Sequence, residues 1–186
     1  MQERKQTFYM VILGIDPGYA ITGYGVISYI GNHFKLLDYG VISTKAHVPF
    51  ELRLLQISQE TDAIIDRFHP EVMAIEELFF SRNTTTAMGT AQARGVLILS
   101  GAKKGLSVYE YTPMQVKLSV TGYGRADKNQ VGQMVRILLK LEAAPRIDDA
   151  ADALAIAICQ AHTGEIGANR AVSGYQFGSK GQRDFI

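Results

Sequence analysis

Hydrophobic and polar positions alternate differently in successive stretches of this chain. Val11 to Ile15 is a continuous apolar run, the pattern of a central strand buried on both faces. It ends at Asp16-Pro-Gly18, where proline and glycine enforce a turn. Two further strand-like segments, Gly23 to Ile30 and Phe34 to Ser43, are separated by Gly31-Asn32, a two-residue hairpin signal. Leu52, Leu55, Ile57, Ile64, Ile65 and Phe68 then recur at helical spacing and stop at His69-Pro70. Val72 to Ile75 is a second short apolar strand, closed by Glu76. A helix from about Thr84 to Ala102, a strand from Ser107 to Tyr111, a short helix from Pro113, a helix from about Lys128 to Leu141 and a final helix after Asp148 complete the pattern. A three-strand meander followed by strands alternating with helices predicts an α/β fold. Its five-stranded mixed sheet combines the antiparallel meander with two parallel strands and is flanked by helices.

The last helix carries the sharpest chemical signal. In Asp148-Asp-Ala-Ala-Asp-Ala-Leu-Ala-Ile-Ala-Ile158, Asp149 and Asp152 stand three residues apart on one face of an otherwise apolar segment. Side chains at that spacing lie roughly 5–6 Å apart. A near-buried ionised carboxylate must be paired, protonated or metal-bound, and no Lys or Arg lies between Ala150 and Cys159. Asp16 and Glu76 end the two fully apolar strands, and ligand sites in α/β sheets gather at such strand ends. Each acid has a bland reading alone: Asp-Pro-Gly is a common turn, Asp148 or Asp149 could cap a helix, and Glu76-Glu77 could be a solvated strand end. Asp152 fits none of these, being beyond capping position and flanked by Ala and Leu. Together, Asp16, Glu76, Asp149 and Asp152 form an all-oxygen donor set suited to hard cations such as Mg²⁺ or Mn²⁺. Two ions about 3.5–4 Å apart would suit phosphodiester hydrolysis. Glu77, next to Glu76 along a strand, points to the opposite face and is read as non-liganding.

Composition narrows the picture further. A chain of 186 residues, 47% hydrophobic, suits one domain: residues 10–163, after a polar N-terminal extension over 1–9 and before a Gly/Ser/Gln-rich tail over 164–186 expected to be disordered. Cys159 is the only cysteine, which excludes a Cys-cluster zinc site and an intrachain disulfide framework. No apolar run reaches membrane-spanning length, so a cytoplasmic protein is expected. The net charge of +1 conceals an asymmetry. Residues 81–147 hold ten Lys and Arg against three Asp and Glu, a surplus of seven, and such a block can attract a polyanion. Its bland reading is a set of solvated helix faces.

Several segments, in order, resemble the RuvC Holliday-junction resolvases: Ile12-Leu-Gly-Ile-Asp-Pro-Gly18 with Thr22-Gly-Tyr-Gly-Val26, Ala74-Ile-Glu-Glu-Leu-Phe-Phe80, Gln92-Ala-Arg-Gly-Val96, Tyr111 with Gln115-Val-Lys117, and Asp149-Ala-Ala-Asp-Ala-Leu-Ala-Ile-Ala157. The resemblance runs from about Val11 to His162. It implies a ribonuclease-H-like fold and a homodimer. It also implies divalent-metal cleavage of opposed strands at a four-way DNA junction, leaving 5′-phosphate and 3′-hydroxyl ends, in recombination and repair. Asp16, Glu76, Asp149 and Asp152 match the family's metal-binding acids. Lys117 and Lys128 match basic positions serving DNA binding and cleavage, and Phe79 matches an aromatic that contacts bases at the junction. Arg82, Asn83 and Arg125 are further candidate DNA contacts, and one of Phe79 and Phe80 is expected to be buried. Partnership with the RuvA–RuvB branch-migration complex is also implied. Ala87, Ala91, Gly95 and Ile98 form a candidate stripe for subunit packing, with burial within one subunit as the other reading. The alternatives are another ribonuclease-H-like nuclease, or half of an actin-like ATPase suggested by Asp16-Pro-Gly with Thr22-Gly. The latter is disfavoured because no second phosphate loop and no Walker motif is present.

Overall fold

The computed structural model describes residues 9–78, 84–164 and 169–170. Strands β1 (Tyr9–Asp16), β2 (Ile21–Ile30) and β3 (His33–Ser43) form the antiparallel meander. Gly31 and Asn32 join β2 to β3 with φ of 48° and 68°, the left-handed backbone that a two-residue hairpin with matching twist requires. Helix α1 (Phe50–Phe68) closes on His69 in the left-handed region, whose amide donates to the Ile65 carbonyl at 2.9 Å. Strand β4 (Val72–Glu76) then pairs in parallel with β1, and β5 (Ser107–Tyr111) in parallel with β4. Helix α2 (Thr84–Lys103) connects them. Helices α3 (Pro113–Thr121), α4 (Lys128–Leu138) and α5 (Asp148–Thr163) follow.

The sheet order is β3-β2-β1-β4-β5-β6, and its first five strands are those the hydrophobic pattern predicts. Strand β6 is only Asn169–Arg170, antiparallel to Tyr109 and Glu110, so these two tail residues carry order that composition did not signal. Tyr9, assigned to the extension, is the first residue of β1. Helix α4 ends at Leu138, three residues before the expected Leu141. Lys140 turns left-handed at φ 54°, and the Leu141 amide returns to the Arg136 carbonyl at 2.9 Å, a closure usually given to glycine.

Alternation along the strands divides the core in two. Val11, Leu13, Ile15, Met73, Ile75 and Val108 face α1 and α2, meeting Ile57, Ile65, Ala93 and Leu97. Ile12, Ala74, Tyr109 and Tyr111 face α3, α4 and α5, meeting Val116, Val135, Leu154 and Ile158. Burying each large apolar side chain contributes about 1.5–3 kcal/mol, so both helical layers are firmly held. Helix α5 lies unusually close to the sheet. A Cβ at Gly14 would collide with the Ala153 carbonyl, and one at Gly23 with the Asp149 carbonyl. Glycine in a strand weakens it locally, yet here it lets the Asp-bearing helix rest on β1 and β2.

Candidate active site

That close seating decides where the acids go. Ile12, Gly14 and Asp16 alternate onto the α5 face of β1, and Ala74 and Glu76 onto the same face of β4. Ile15 pairs with Ile75, so Asp16 and Glu76 leave adjacent strand ends side by side. Asp149 sits in the first turn of α5, its carbonyl packed at Gly23, which pairs with Asp16. Asp152 follows one turn later. Asp16, Glu76 and Asp152 line one cavity of about 360 Å³ with Lys117, Lys128 and an apolar wall that includes Val116 and Ile156. Asp149 is not on that lining, although its charge acts on Asp16.

Two capping boxes aim the lysines. Thr112 accepts from the Gln115 amide while the Gln115 side chain accepts from the Thr112 amide, with Pro113 starting α3. Asp127 and Gln130 do the same for α4. These signatures, Thr-Pro-Met-Gln and Asp-Lys-Asn-Gln, are legible in sequence and were the missed clue to how the helices carrying Lys117, one turn into α3, and Lys128, at the start of α4, are fixed.

The electrostatics show a site short of positive charge. Burial, then the charges of Glu76, Asp152 and Asp149, push the Asp16 carboxyl up to about 7, against a downward pull from Lys128. Burial and Asp152 push Glu76 to about 7 as well, opposed by Lys128 and Lys117. Asp152 is also raised, chiefly by burial, although Lys128 Nζ lies 3.3 Å from its Oδ2. Lys128 reaches Asp148 at 3.8 Å too. It partly fills the role a cation would take, and its own pKa is raised, first of all by Asp152. Among the described residues no three His, Cys, Asp or Glu side chains are already drawn tightly enough to hold one ion. The donor set still fits a divalent cation: every candidate ligand is a carboxylate, and their mutual repulsion and burial are what such an ion relieves.

The remaining basic residues separate into two groups. Arg94 is half-buried on α2, where its guanidinium pairs with Glu110 and its Nε donates to the Glu76 carbonyl at 3.3 Å. Lys103 pairs with Asp62 at 3.2 Å and Lys104 with Asp66 at 2.6 Å. Arg94, Lys103 and Lys104 of the basic block are therefore engaged by acids on β5 and α1, away from the cavity. Lys117 and Lys128 stand at the cavity, and Arg125 lines a neighbouring cleft. Phe79, Phe80, Arg82 and Asn83 lie outside the described residues. Glu77 is absent from the cavity lining, and its amide donates to the Tyr111 carbonyl at 2.8 Å.

Helices on both faces of a mixed sheet, with acids at two adjacent central strand ends and on the helix above them, define a nuclease of the ribonuclease-H-like class. The model of the crossover junction endodeoxyribonuclease RuvC family matches residues 12–160, and the chain belongs to that family of metal-dependent nucleases. It is 56% identical over 155 residues to the RuvC of Alkaliphilus metalliredigens, covering 83% of this chain and 94% of the relative. It is 58% identical over 154 residues to that of Desulfitobacterium hafniense, covering 83% and 93%. A solved structure of T. thermophilus RuvC in complex with Holliday junction substrate superposes with a TM-score of 0.83 at 37% identity, covering 87% of this chain and 99% of that one. The yeast mitochondrial Holliday junction resolvase Ydc2, at 15% identity and a TM-score of 0.58 over 81% of this chain and 78% of that one, shares the fold. The ATPase alternative is not favoured.

Proposed function

We propose that the chain resolves four-way DNA junctions as a homodimer, nicking two opposed strands by hydrolysis to leave 5′-phosphate and 3′-hydroxyl ends. The observation that carries this reading is the gathering of Asp16, Glu76 and Asp152 in one cavity flanked by Lys117 and Lys128. The similarity to a RuvC bound to a Holliday junction supports the choice of substrate. Asp16, Glu76, Asp149 and Asp152 would hold Mg²⁺, or Mn²⁺ in its place, as a pair of ions. When bound, these supply Lewis-acid charge to the attacking water and the departing 3′ oxygen. Lys117 and Lys128 bring the scissile phosphate to the acids, which would otherwise repel it. Once phosphate arrives, Lys128 can exchange its contact with Asp152 for one with the substrate. Val116, Val131 and Ile156 wall the cavity and limit the water that reaches the phosphate.

A twofold dimer would present two such sites to two strands related by the junction's approximate symmetry. Helix α2 supports this. Ala93, Leu97 and Ser100 face the core, whereas Met88 and Leu99 are 67% and 58% exposed, with open space around Gly95. We place the subunit contact on Met88, Gly95 and Leu99, beside the expected Ala87, Ala91, Gly95 and Ile98, of which Ile98 packs against the core. Phe79, Arg82, Asn83 and Arg125 remain proposed DNA contacts, and the RuvA–RuvB branch-migration complex remains a proposed partner. No helix among the described residues is long and apolar enough to cross a membrane.

A cleavage assay with Mg²⁺ on a synthetic four-way junction, plain duplex and an RNA–DNA hybrid tests the reading. Paired, ligatable nicks in the junction are expected. Asp16→Asn should lose cleavage and keep junction binding. Preference for the hybrid, or full activity in Asp16→Asn, would overturn it.

A further inference from the structure

Beside the acidic cavity the surface carries two further clefts of similar size that the hydrolytic chemistry leaves unused, and both are bounded by Tyr123. One, of about 380 Å³, is lined by Met114, Leu118, Tyr123, Gly124 and Arg125 among others. The other, of about 460 Å³, is lined by Tyr123 with Thr121, Gln130, Gln133 and Met134 among others. Met114, Leu118 and Tyr123 are 65%, 55% and 57% exposed, an apolar concentration unusual for a surface otherwise rich in polar groups.

The ring is held out by a firmly built loop. Gly122 caps α3 at φ 75°, its amide donating to the Leu118 carbonyl at 2.8 Å. The Tyr123 amide donates to Thr121 Oγ1 at 3.1 Å, and the Tyr123 carbonyl accepts from the Ala126 amide at 3.1 Å. Gly124 brings the backbone against Met114, where even a Cβ would come within 3.0 Å of its Cγ. Among the described residues no aromatic ring stacks on Tyr123. Its backbone is fixed and its ring faces solvent, an arrangement that lowers the entropy cost of binding a flat partner.

Charge and continuity identify that partner. Lys117 lies on α3 between Met114 and Leu118 and lines the acidic cavity, so the apolar clefts adjoin the path a phosphodiester strand takes to the acids. Arg125 supplies a second positive group at the cleft, and the nearby Asp127 is occupied in capping α4. A flat apolar surface beside cations suits a nucleobase on a phosphate backbone.

We infer that Tyr123, with Met114 and Leu118, is a nucleobase-contacting platform that holds a base of the strand running through the acidic cavity, and thereby helps set where that strand is cut. This rests on the junction-cleaving reading above. Stacking on an exposed aromatic corresponds to about 5–150-fold in affinity. Tyr123→Ala should weaken junction binding by a factor within that range and broaden the distribution of cut positions, while Tyr123→Phe stays close to the parent. A junction carrying 2-aminopurine beside the incision point should lose fluorescence on binding the parent and Tyr123→Phe, and much less on binding Tyr123→Ala. Unchanged junction affinity and cut positions in Tyr123→Ala would overturn the inference. So would a shift in sedimentation to a smaller species without any change in base fluorescence, which would make the patch a contact between copies of the chain. The parent protein and Asp16→Asn, run alongside, separate the two failures. A parent that ignores the junction sinks the junction reading, whereas a parent that cuts it, beside an unaltered Tyr123→Ala, sinks only the platform.

Discussion

On the α1–α2 face of the sheet, half-buried Arg94 pairs with buried Glu110, their side chains 12% and 6% exposed. On the α5 face, Asp16, Glu76 and Asp152 share one cavity, and the cation that touches Asp152 there, Lys128, has a side chain 69% exposed. The two faces belong to the same strands and differ in how charge is settled. Opposite charges that satisfy each other contribute to a defined packing, with Arg94 also gripping the Glu76 carbonyl from below. Like charges left facing an opening cost stability until something positive arrives. Neutralising an acid should therefore have opposite effects on the two faces.

The largest effect expected is on the open face. Asp152→Asn removes a proposed ligand and should lower junction cleavage by on the order of 10³-fold. Its stability without metal should hold or rise, because a repelling charge is gone. Cleavage rates and urea unfolding of one preparation check both halves, and a metal-free stability loss comparable to a core mutation would break the comparison. On the closed face, Arg94→Ala removes the guanidinium that pairs with Glu110 and donates to the Glu76 carbonyl, and should cost about 3–5 kcal/mol, read from the same urea curves. A loss under about 1 kcal/mol would place Arg94 with the exposed pairs Lys103–Asp62 and Lys104–Asp66, where small effects are the rule.

The pH dependence sharpens the contrast. Asp16 and Glu76 titrate near 7 in the folded chain and near 4 when unfolded. Between those values the folded state holds more protons, so metal-free stability is greatest below about pH 4 for these groups and is lost as pH rises toward 7. The expected loss is on the order of 3 kcal/mol once their mutual coupling is allowed for. A divalent cation should flatten the slope, and Asp16→Asn should reduce it without metal. Urea midpoints at pH 5 and pH 8, with and without Mg²⁺, measure this, and a slope that neither metal nor the variant alters would mean the acids are not in electrostatic contact.

Why one face was legible and the other was not follows from sequence distance. Asp149 and Asp152 announce themselves because both lie on one helix, and Asp16 and Glu76 because each ends an unbroken apolar run. The convergence of Asp16, Glu76 and Asp152 needs Gly14 and Gly23 beneath α5; a glycine inside a strand signals a close approach, but nothing local says which element approaches. Arg94 reads as one more basic residue, since its partner Glu110 lies on another element and is brought to it by strand alternation. The early end of α4 was hidden for a similar reason: Lys140 takes a backbone conformation its residue type disfavours.

Lys117 probes the edge between the two regimes and carries the smallest effect. It lines the cavity and pulls Glu76 downward, and among the described residues no salt bridge engages it. Its charge is thus available to a phosphate in a way that Arg94's is not. Lys117→Ala should weaken junction binding by about tenfold and reduce the slope of log affinity against log salt by about one, with little change in stability. An unaltered slope with an unaltered cleavage rate would take Lys117 off the DNA path. A slope changed equally by Arg94→Ala would show that the Arg94–Glu110 pair is open to DNA after all, and the division between the faces would fail at its most protected charge.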